Sequence, residues 1–251
     1  VGFKAFWDGA LGSETALFSQ NYKRRKHNGY TTEIVRSGRI YELAEKIDAA
    51  GKQMIIHAIG DKAVSEVLEL YAGLPNTNRL RHRIEHAQHI QPADIDKFGE
   101  YGVIASVQPL HLKYDARTVF EKLPARLIPH THNYYHITKA GGIMNFGTDF
   151  PIVEADPFEN IRLAVTRDTK YGEFTPEHKI PLHECLKAYC INNAYASHNE
   201  NAVGSITNGK VADFVIMDED IFEMDEESLN EVTIFETHLG GNLEYKNKLS
   251  F

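Results

Sequence analysis

The sequence predicts an α/β fold organised around a parallel sheet. Short apolar runs alternate with longer stretches in which apolar residues recur every three or four positions, the signature of strands alternating with helices. That alternation implies right-handed crossovers between parallel strands. Four of the apolar runs also carry, at or near their C-terminal ends, a side chain that could bind a metal. They are Val1-Gly2-Phe3-Lys4-Ala5-Phe6, Met54-Ile55-Ile56-His57, Arg83-Ile84-Glu85-His86 and Ile143-Met144-Asn145-Phe146-Gly147-Thr148-Asp149. In a barrel of parallel strands such ends meet at one mouth, where residues remote in sequence can surround one ion.

Each element has its own local reason. The small-residue loop Asp8-Gly9-Ala10-Leu11-Gly12-Ser13 suits a strand-end turn that approaches a ligand. From Thr31 to Ala50 the spacing of Ile34, Ile40, Leu43, Ala44 and Ile47 predicts one helix, stopped at Gly51. Gln53 to Ile59 reads as a buried strand, and Gly60-Asp61 leads into a helix bearing Val64, Val67, Leu68 and Tyr71, with Asp61 as its cap. Leu80 to Ala87 follows as strand, Pro92 to Tyr101 as helix and Val103 to Val107 as strand. Pro92 suits a first helical turn, where its missing donor would be unpaired anyway. A less regular insert from Pro109 to Lys139 precedes the strand Gly142 to Phe150, and Leu182 to Ala196 is an amphipathic helix.

Beyond that helix, Val203-Gly204-Ser205-Ile206, the turn Asn208-Gly209-Lys210 and the alternation from Ala212 to Met217 predict short strands of a separate small β layer. Asp218 to Glu227 is expected to be a solvated acidic connector. Val232-Thr233-Ile234-Phe235 and His238-Leu239-Gly240-Gly241-Asn242 return to strand character. The division expected is 1–202 for the main layer and 203–251 for the small one. Five parallel strands are too few to close an eight-stranded barrel, so a further segment or a second copy of the chain is expected at the open edges. Val1 begins directly inside a strand-like run, and the chain is expected to be a piece of something longer.

Composition narrows the function classes. With 251 residues, 42% hydrophobic and 25% charged, the chain can bury a substantial core. A formal charge of −8 disfavours polyanion binding, and the basic run Lys23-Arg24-Arg25-Lys26 has no aromatic array beside it, so it reads as a solvated loop. No stretch approaches the roughly 20 apolar residues of a membrane span, and no signal region begins the chain, so a cytoplasmic location is expected. Cys185 and Cys190 are five apart in a predicted helix, where about 100° per residue puts them on different faces. No disulfide between them is expected.

The candidate chemistry rests on His57, His86 and Asp149, which mix imidazole and carboxylate as zinc and similar ions require. Lys4 can join them only if its amine is modified, for example to a carbamate. Singly, each has an ordinary explanation: a lone strand histidine is more often a hydrogen-bonded core residue, Lys4 suits an edge strand, and Asp149 before Phe150-Pro151 suits a turn. Their repeated placement at strand ends favours a shared site. His111 and Asp115, after the strand that ends at Val107, are candidates for substrate contact. Arg83 and Glu85 share a strand face and suit an ion pair, and Glu85 points away from His86.

These residues also resemble a known family. His57-Ala58-Ile59-Gly60-Asp61-Lys62-Ala63-Val64, Arg81-His82-Arg83-Ile84-Glu85-His86-Ala87-Gln88, Ser106-Val107-Gln108-Pro109-Leu110-His111, Gly147-Thr148-Asp149-Phe150-Pro151, Val203 to Ile206 and Gly209 to Asp213 look like the YtcJ-like branch of the amidohydrolase superfamily. The opening Phe3 to Ser13 is similar too, so the likeness runs nearly end to end.

The resemblance implies a metal-dependent (β/α)8 TIM barrel beside a small β-sandwich, of which this chain would be the C-terminal part, about strands 4 to 8. It implies one or two divalent ions, zinc foremost, held by Lys4 as a bridging carbamate, His57, His86 and Asp149. Asp149 would be the general base for a metal-activated hydroxide that cleaves a non-peptide C–N bond of a small molecule. Esters and lactones share that chemistry. The first-strand His-x-His of the family is missing, and His130-Thr131-His132 suits a loop or helix surface better, so the chain alone is expected to be inactive. The competing expectation is a non-catalytic barrel that binds or regulates.

Overall fold

The computed structural model describes residues 2–248. Val1, the first residue of the opening apolar run, and residues 249–251 lie outside them. In chain order the elements are β1 (Gly2–Phe6), α1 (Glu33–Arg36), α2 (Arg39–Ala49), β2 (Gln53–Ala58), α3 (Asp61–Ala72), α4 (Thr77–Leu80), β3 (Arg83–His86), α5 (Ile95–Tyr101), β4 (Ile104–Val107), α6 (Leu112–Lys122), α7 (Tyr135–Lys139) and β5 (Ile143–Phe146). They continue with α8 (Pro157–Thr166), the two-residue strands β6 (Asp168–Thr169) and β7 (Gly172–Glu173), α9 (Leu182–Tyr189), α10 (Ile191–Ala196), β8 (Phe214–Met217), β9 (Ile234–Leu239) and β10 (Asn242–Lys246).

The five strands β1 to β5 form one sheet in sequential order, every neighbouring pair parallel. Phe6 pairs with His57, Ala58 with His86 and Val107 with Phe146, so the C-terminal ends of all five strands lie along one rim. The interior strand β4 is buried at every position, as a parallel strand covered on both faces should be. β1 and β5 are the edges, and Phe3 and Phe6 on β1 are exposed.

Helices supply the cover. Val64, Val67, Leu68 and Tyr71 of α3 are buried in the main core, and the Tyr71 hydroxyl donates to Met54 O and Arg83 O, joining β2 to β3. A second cluster, including Leu11, Phe18, Ile59, Leu110 and Val119, holds the rim loops together. β8, β9 and β10 form a separate antiparallel sheet, with β9 in the middle.

Several local expectations are corrected by the structure. The predicted helix 31–50 is two helices, because Gly38 takes φ 75° and turns the chain between α1 and α2. Asp61 does not cap α3. It is the first helical residue, and its carboxylate instead accepts from the backbone N and Oγ of Ser19, pinning the rim loop. The irregular insert contains an eleven-residue helix, α6, and the helix predicted over 182–196 breaks at Cys190, which has φ −103° and ψ −88°. Cys185 and Cys190 are both free. No element was legible between Phe150 and Leu182, yet α8 begins there with Asp156 accepting from Phe158 N and Glu159 N ahead of Pro157.

The C-terminal region differs as well. Val203–Ser205 forms bends and Ile206 is irregular, so no strand forms there. Gly240 and Gly241, both at positive φ, make the turn of the β9–β10 hairpin, so His238–Asn242 is not one continuous strand. The acidic stretch is no simple connector either: Ile221 within it and Leu229 just beyond it are buried in the main core, and residues 226–231 pack on α8. Burial of these two side chains outweighs the solvation preference of the acids around them, which can stay at the surface.

If Leu229 anchors this region, Leu229→Ala should lower the unfolding free energy by about 2–5 kcal/mol, as a buried large-to-small change does. Urea unfolding of the two proteins measures this. A change within about 0.5 kcal/mol would fit a solvated connector instead.

Candidate functional site

At the rim formed by the strand ends lies a cavity of about 580 Å³. That size suits a small-molecule ligand, for which pockets run roughly 300–1,000 Å³. Lys4, His57, His86 and Asp149 all line it, as do His111 and Asp115. Thus all six side chains singled out from the sequence come to one mouth, although they span 146 residues of chain, from Lys4 to Asp149. The apolar part of the wall includes Leu11, Ile59, Ile152 and Val153.

The two strand histidines are adjacent. The His57 and His86 ring centroids are 4.5 Å apart, and the His86 and His111 rings stack at 5.8 Å. His57 Nε2 donates to Gly9 O at 3.0 Å and lies 3.5 Å from the Asp8 carboxylate, which orients the ring and leaves Nδ1 as its lone-pair nitrogen. His86 Nδ1 is buried and has no hydrogen-bond partner. Burial holds the His57 imidazole below its ordinary value. Burial, with His57, His111 and Lys4 nearby, holds His86 well below it. Both rings are therefore neutral bases at pH 7, the form that binds a cation.

Lys4 is much exposed on the edge strand, but partial burial of its amine still lowers its value, against the opposing pull of Glu85 and Asp149. Asp149 sits exposed just past β5 with φ 60°, and His86 has φ 75° at the end of β3. Two non-glycine residues in the left-handed region at one rim are a local strain that the surrounding packing holds in place. Glu85 is 2.7 Å from Arg83 Nε and does not line the cavity, so the expected ion pair forms and Glu85 stays out of the site.

A buried imidazole nitrogen without a partner, a second ring whose lone pair is free and a carboxylate suit a divalent cation in donor chemistry. Among the described residues, however, no group of three or more His, Cys, Asp or Glu side chains converges closely enough to hold one.

Three supporting residues escaped the sequence reading. Buried Asp8 accepts from Leu17 N, Ile59 N and Gly60 N, fastening the small-residue loop onto the end of β2; burial raises its carboxyl to about 7 despite those donors. Gly60 makes room for this contact, since a Cβ there would lie 2.0 Å from Leu17 O. Buried Asn160 on α8 accepts from Leu110 N and donates to Gly147 O and the Tyr189 hydroxyl, holding the loops before His111 and Asp149. Gln88, two residues after His86, donates to Asp115 and reaches His132. Its place on the far side of a strand end was the one available signal.

His132 also corrects an expectation. It is fully buried beneath the cavity rather than on a loop or helix surface, packed against Tyr134 with burial holding its ring neutral. It does not line the cavity, and His130 does not either.

Residues 2–245 match the Amidohydrolase family. Protein LONG AFTER FAR-RED 3 of Arabidopsis thaliana is 34% identical over 97% of this chain and 42% of its own length. The Bacillus subtilis protein named YtcJ is 27% identical over 97% of this chain and 46% of its own. N-substituted formamide deformylase of Arthrobacter pascens is 25% identical over 88% and 42%. The chain spans less than half the length of these relatives. A crystal structure of an uncharacterized metal-dependent hydrolase from Pyrococcus horikoshii superposes with a TM-score of 0.80 at 28% identity, over 90% of this chain and 46% of that one.

His89 provides a pH test of how tightly the rim is buried. It is fully buried beside Phe18, and burial lowers it from 6.5 to about 4. The unfolded chain therefore takes up a proton below pH 6.5 that the folded one refuses, so stability falls as pH drops from 6.5 towards 4. The loss is on the order of 3 kcal/mol. In unfolding curves at several pH values, the stability of wild type relative to His89→Gln should fall by that order across this window. Asp8 contributes equally to both proteins and cancels, and a difference that stays flat with pH would contradict the burial argument.

Proposed function

Because the chain belongs to the amidohydrolase family and is YtcJ-like, we propose that it carries the C-terminal part, about strands 4 to 8, of a TIM-barrel metal-dependent hydrolase. Its three-stranded sheet would belong to the accompanying β-sandwich. The observation that carries the reading is the meeting of Lys4, His57, His86 and Asp149 at one cavity, with His86 Nδ1 buried and unpaired. The reaction is hydrolysis of a non-peptide C–N bond in a small molecule. The name of the Arthrobacter relative, a deformylase of N-substituted formamides, supports that bond type, and the Pyrococcus structure supports the metal.

His57 Nδ1 and His86 Nδ1 present lone pairs for a divalent cation, zinc being the foremost candidate, and Asp149 adds charge. A cation held there would supply Lewis acidity, polarising a substrate carbonyl and acidifying water. The amine of Lys4 is held towards its neutral form, which is the nucleophile that carbon dioxide needs. Attack by that neutral nitrogen on carbon dioxide would form the N–C bond of a carbamate and release one proton; with the proton already lost from the ammonium, two protons leave in all and a cation becomes an anionic donor. Asp149 takes the proton from the attacking water as the new C–O bond forms. It then returns that proton to the leaving nitrogen as the C–N bond breaks. Leu11, Ile59 and Val153 keep bulk water from the far wall. Esters and lactones would fit the same arrangement. The remaining donors, and the strands that close the barrel, would come from outside this chain, which by itself would be inactive.

In the intact protein, His86→Ala should reduce bound metal and lower kcat/KM by at least about 100-fold, read by elemental analysis and by turnover of a panel of N-substituted formamides. If the variant keeps both metal and turnover, the reading falls. Absence of metal and turnover from the wild type would turn it towards a binding module. Asp149→Asn should separate the two roles of that residue. Its kcat should drop by about 10²–10⁴-fold as a lost proton shuttle, with the larger part of the bound metal retained.

A further inference from the structure

We infer that the cavity is shaped for an amphipathic substrate, an apolar body that carries an ammonium or similar N–H donor, and that Asp115 is the residue that selects it. The inference rests on the hydrolase reading only in treating this cavity as the substrate pocket. Asp115 comes from α6, whereas Lys4, His57, His86 and Asp149 come from strands or strand ends, so recognition and chemistry are carried by different elements.

Gln88 holds this carboxylate in place. Its Nε2 donates one hydrogen to Asp115 Oδ2 and lies 2.9 Å from His132 Nε2. An amide nitrogen has two hydrogens, and here both are engaged, so the Gln88 side chain cannot turn without losing two bonds. His132 is set from its other side: Nδ1 is 3.3 Å from the Tyr134 hydroxyl, and the ring is buried and neutral, so Nε2 serves as the acceptor. A chain of Tyr134, His132 and Gln88 thus runs from the core to the cavity wall and fixes one oxygen of Asp115.

The other oxygen is left for a ligand. Asp115 Oδ1 has no hydrogen-bond partner among the described residues, and it is not sealed from the cavity. Other largely buried acids in this chain are matched by several donors or by a cation: Asp8 accepts from three backbone N–H groups, Asp61 from Ser19 N and Oγ, and Asp94 is 3.0 Å from Lys97. Among the described residues no lysine or arginine pairs with Asp115. A largely buried carboxylate without a cation is costly, and a donor on the ligand offsets that cost. Leu11, Ile59, Ile152 and Val153 line the same cavity and would bury the apolar remainder of the molecule.

The test uses two probes of similar shape, 4-phenylbutylamine and 4-phenylbutyl methyl ether, titrated calorimetrically into the intact protein. Wild type should bind the amine at least about tenfold more tightly than the ether, the scale of one hydrogen bond to a charged group. Asp115→Asn should shrink that ratio to about threefold or less, and Gln88→Leu should reduce it in part by freeing the carboxylate. A merely structural role for Gln88 would lower the melting temperature without changing the ratio. Equal binding of the two probes by wild type overturns the inference, and that arm needs no variant to fold. So does a preference unchanged in Asp115→Asn, which would place the ammonium on Asp149. Metal content and formamide turnover are read separately, so an amine preference without hydrolysis sinks the hydrolase reading alone, and hydrolysis without the preference sinks this one alone.

Discussion

Parallel pairing in sequential order is the constraint on which the rest of the molecule depends. Because β1 to β5 all run the same way, the residues that end or follow them share one rim, whatever their distance in sequence. The hydrogen bonds of the sheet hold the backbone, and the helices bury its faces, so the strand ends are the natural place for polar groups that the core cannot take. Lys4, His57, His86 and Asp149 occupy that place.

A rim of loops would be too mobile for chemistry unless something held it. Here single buried polar side chains do so. Asp8 gathers three backbone N–H groups, Asn160 spans two loops and a helix, and Asp61 grips Ser19. Each satisfies backbone groups that would otherwise be stranded at the boundary between core and cavity. The left-handed conformations of His86 and Asp149 persist against this fixed background.

The electrostatics of the cavity follow from the same burial. Neutral histidines, a lysine drawn towards its free amine and two carboxylates that form no ion pair with a lysine or arginine among the described residues line one cavity. The strand-end donors are the groups on which the proposed hydrolysis draws. The carboxylate on α6 is held instead by the buried Gln88 and His132 behind it.

The strands of the parallel sheet, helices such as α3 and α5 and the six cavity residues were legible in the chain itself, because alternation of apolar runs and polar strand ends is a local pattern. Asp156-Pro157 shows that even the overlooked α8 had a local signal. What local pattern does not contain is the partner of a polar residue. Asp61 looks like a helix cap and Asp8 like a loop residue until the fold brings Ser19 and the end of β2 against them. Ile221 and Leu229 sit in or beside an acidic stretch that reads as solvated, and only packing on α8 buries them. His132 lies between two polar neighbours in sequence, yet tertiary contacts with Gln88 and Tyr134 place it under the cavity. Sequence determined the strands of the main sheet and which side chains reach its rim, since both follow from local periods of two and about 3.6 residues. Tertiary structure alone decided which buried polar groups are satisfied and which are left for a ligand, because hydrogen bonds between distant residues depend on where the folded chain places them.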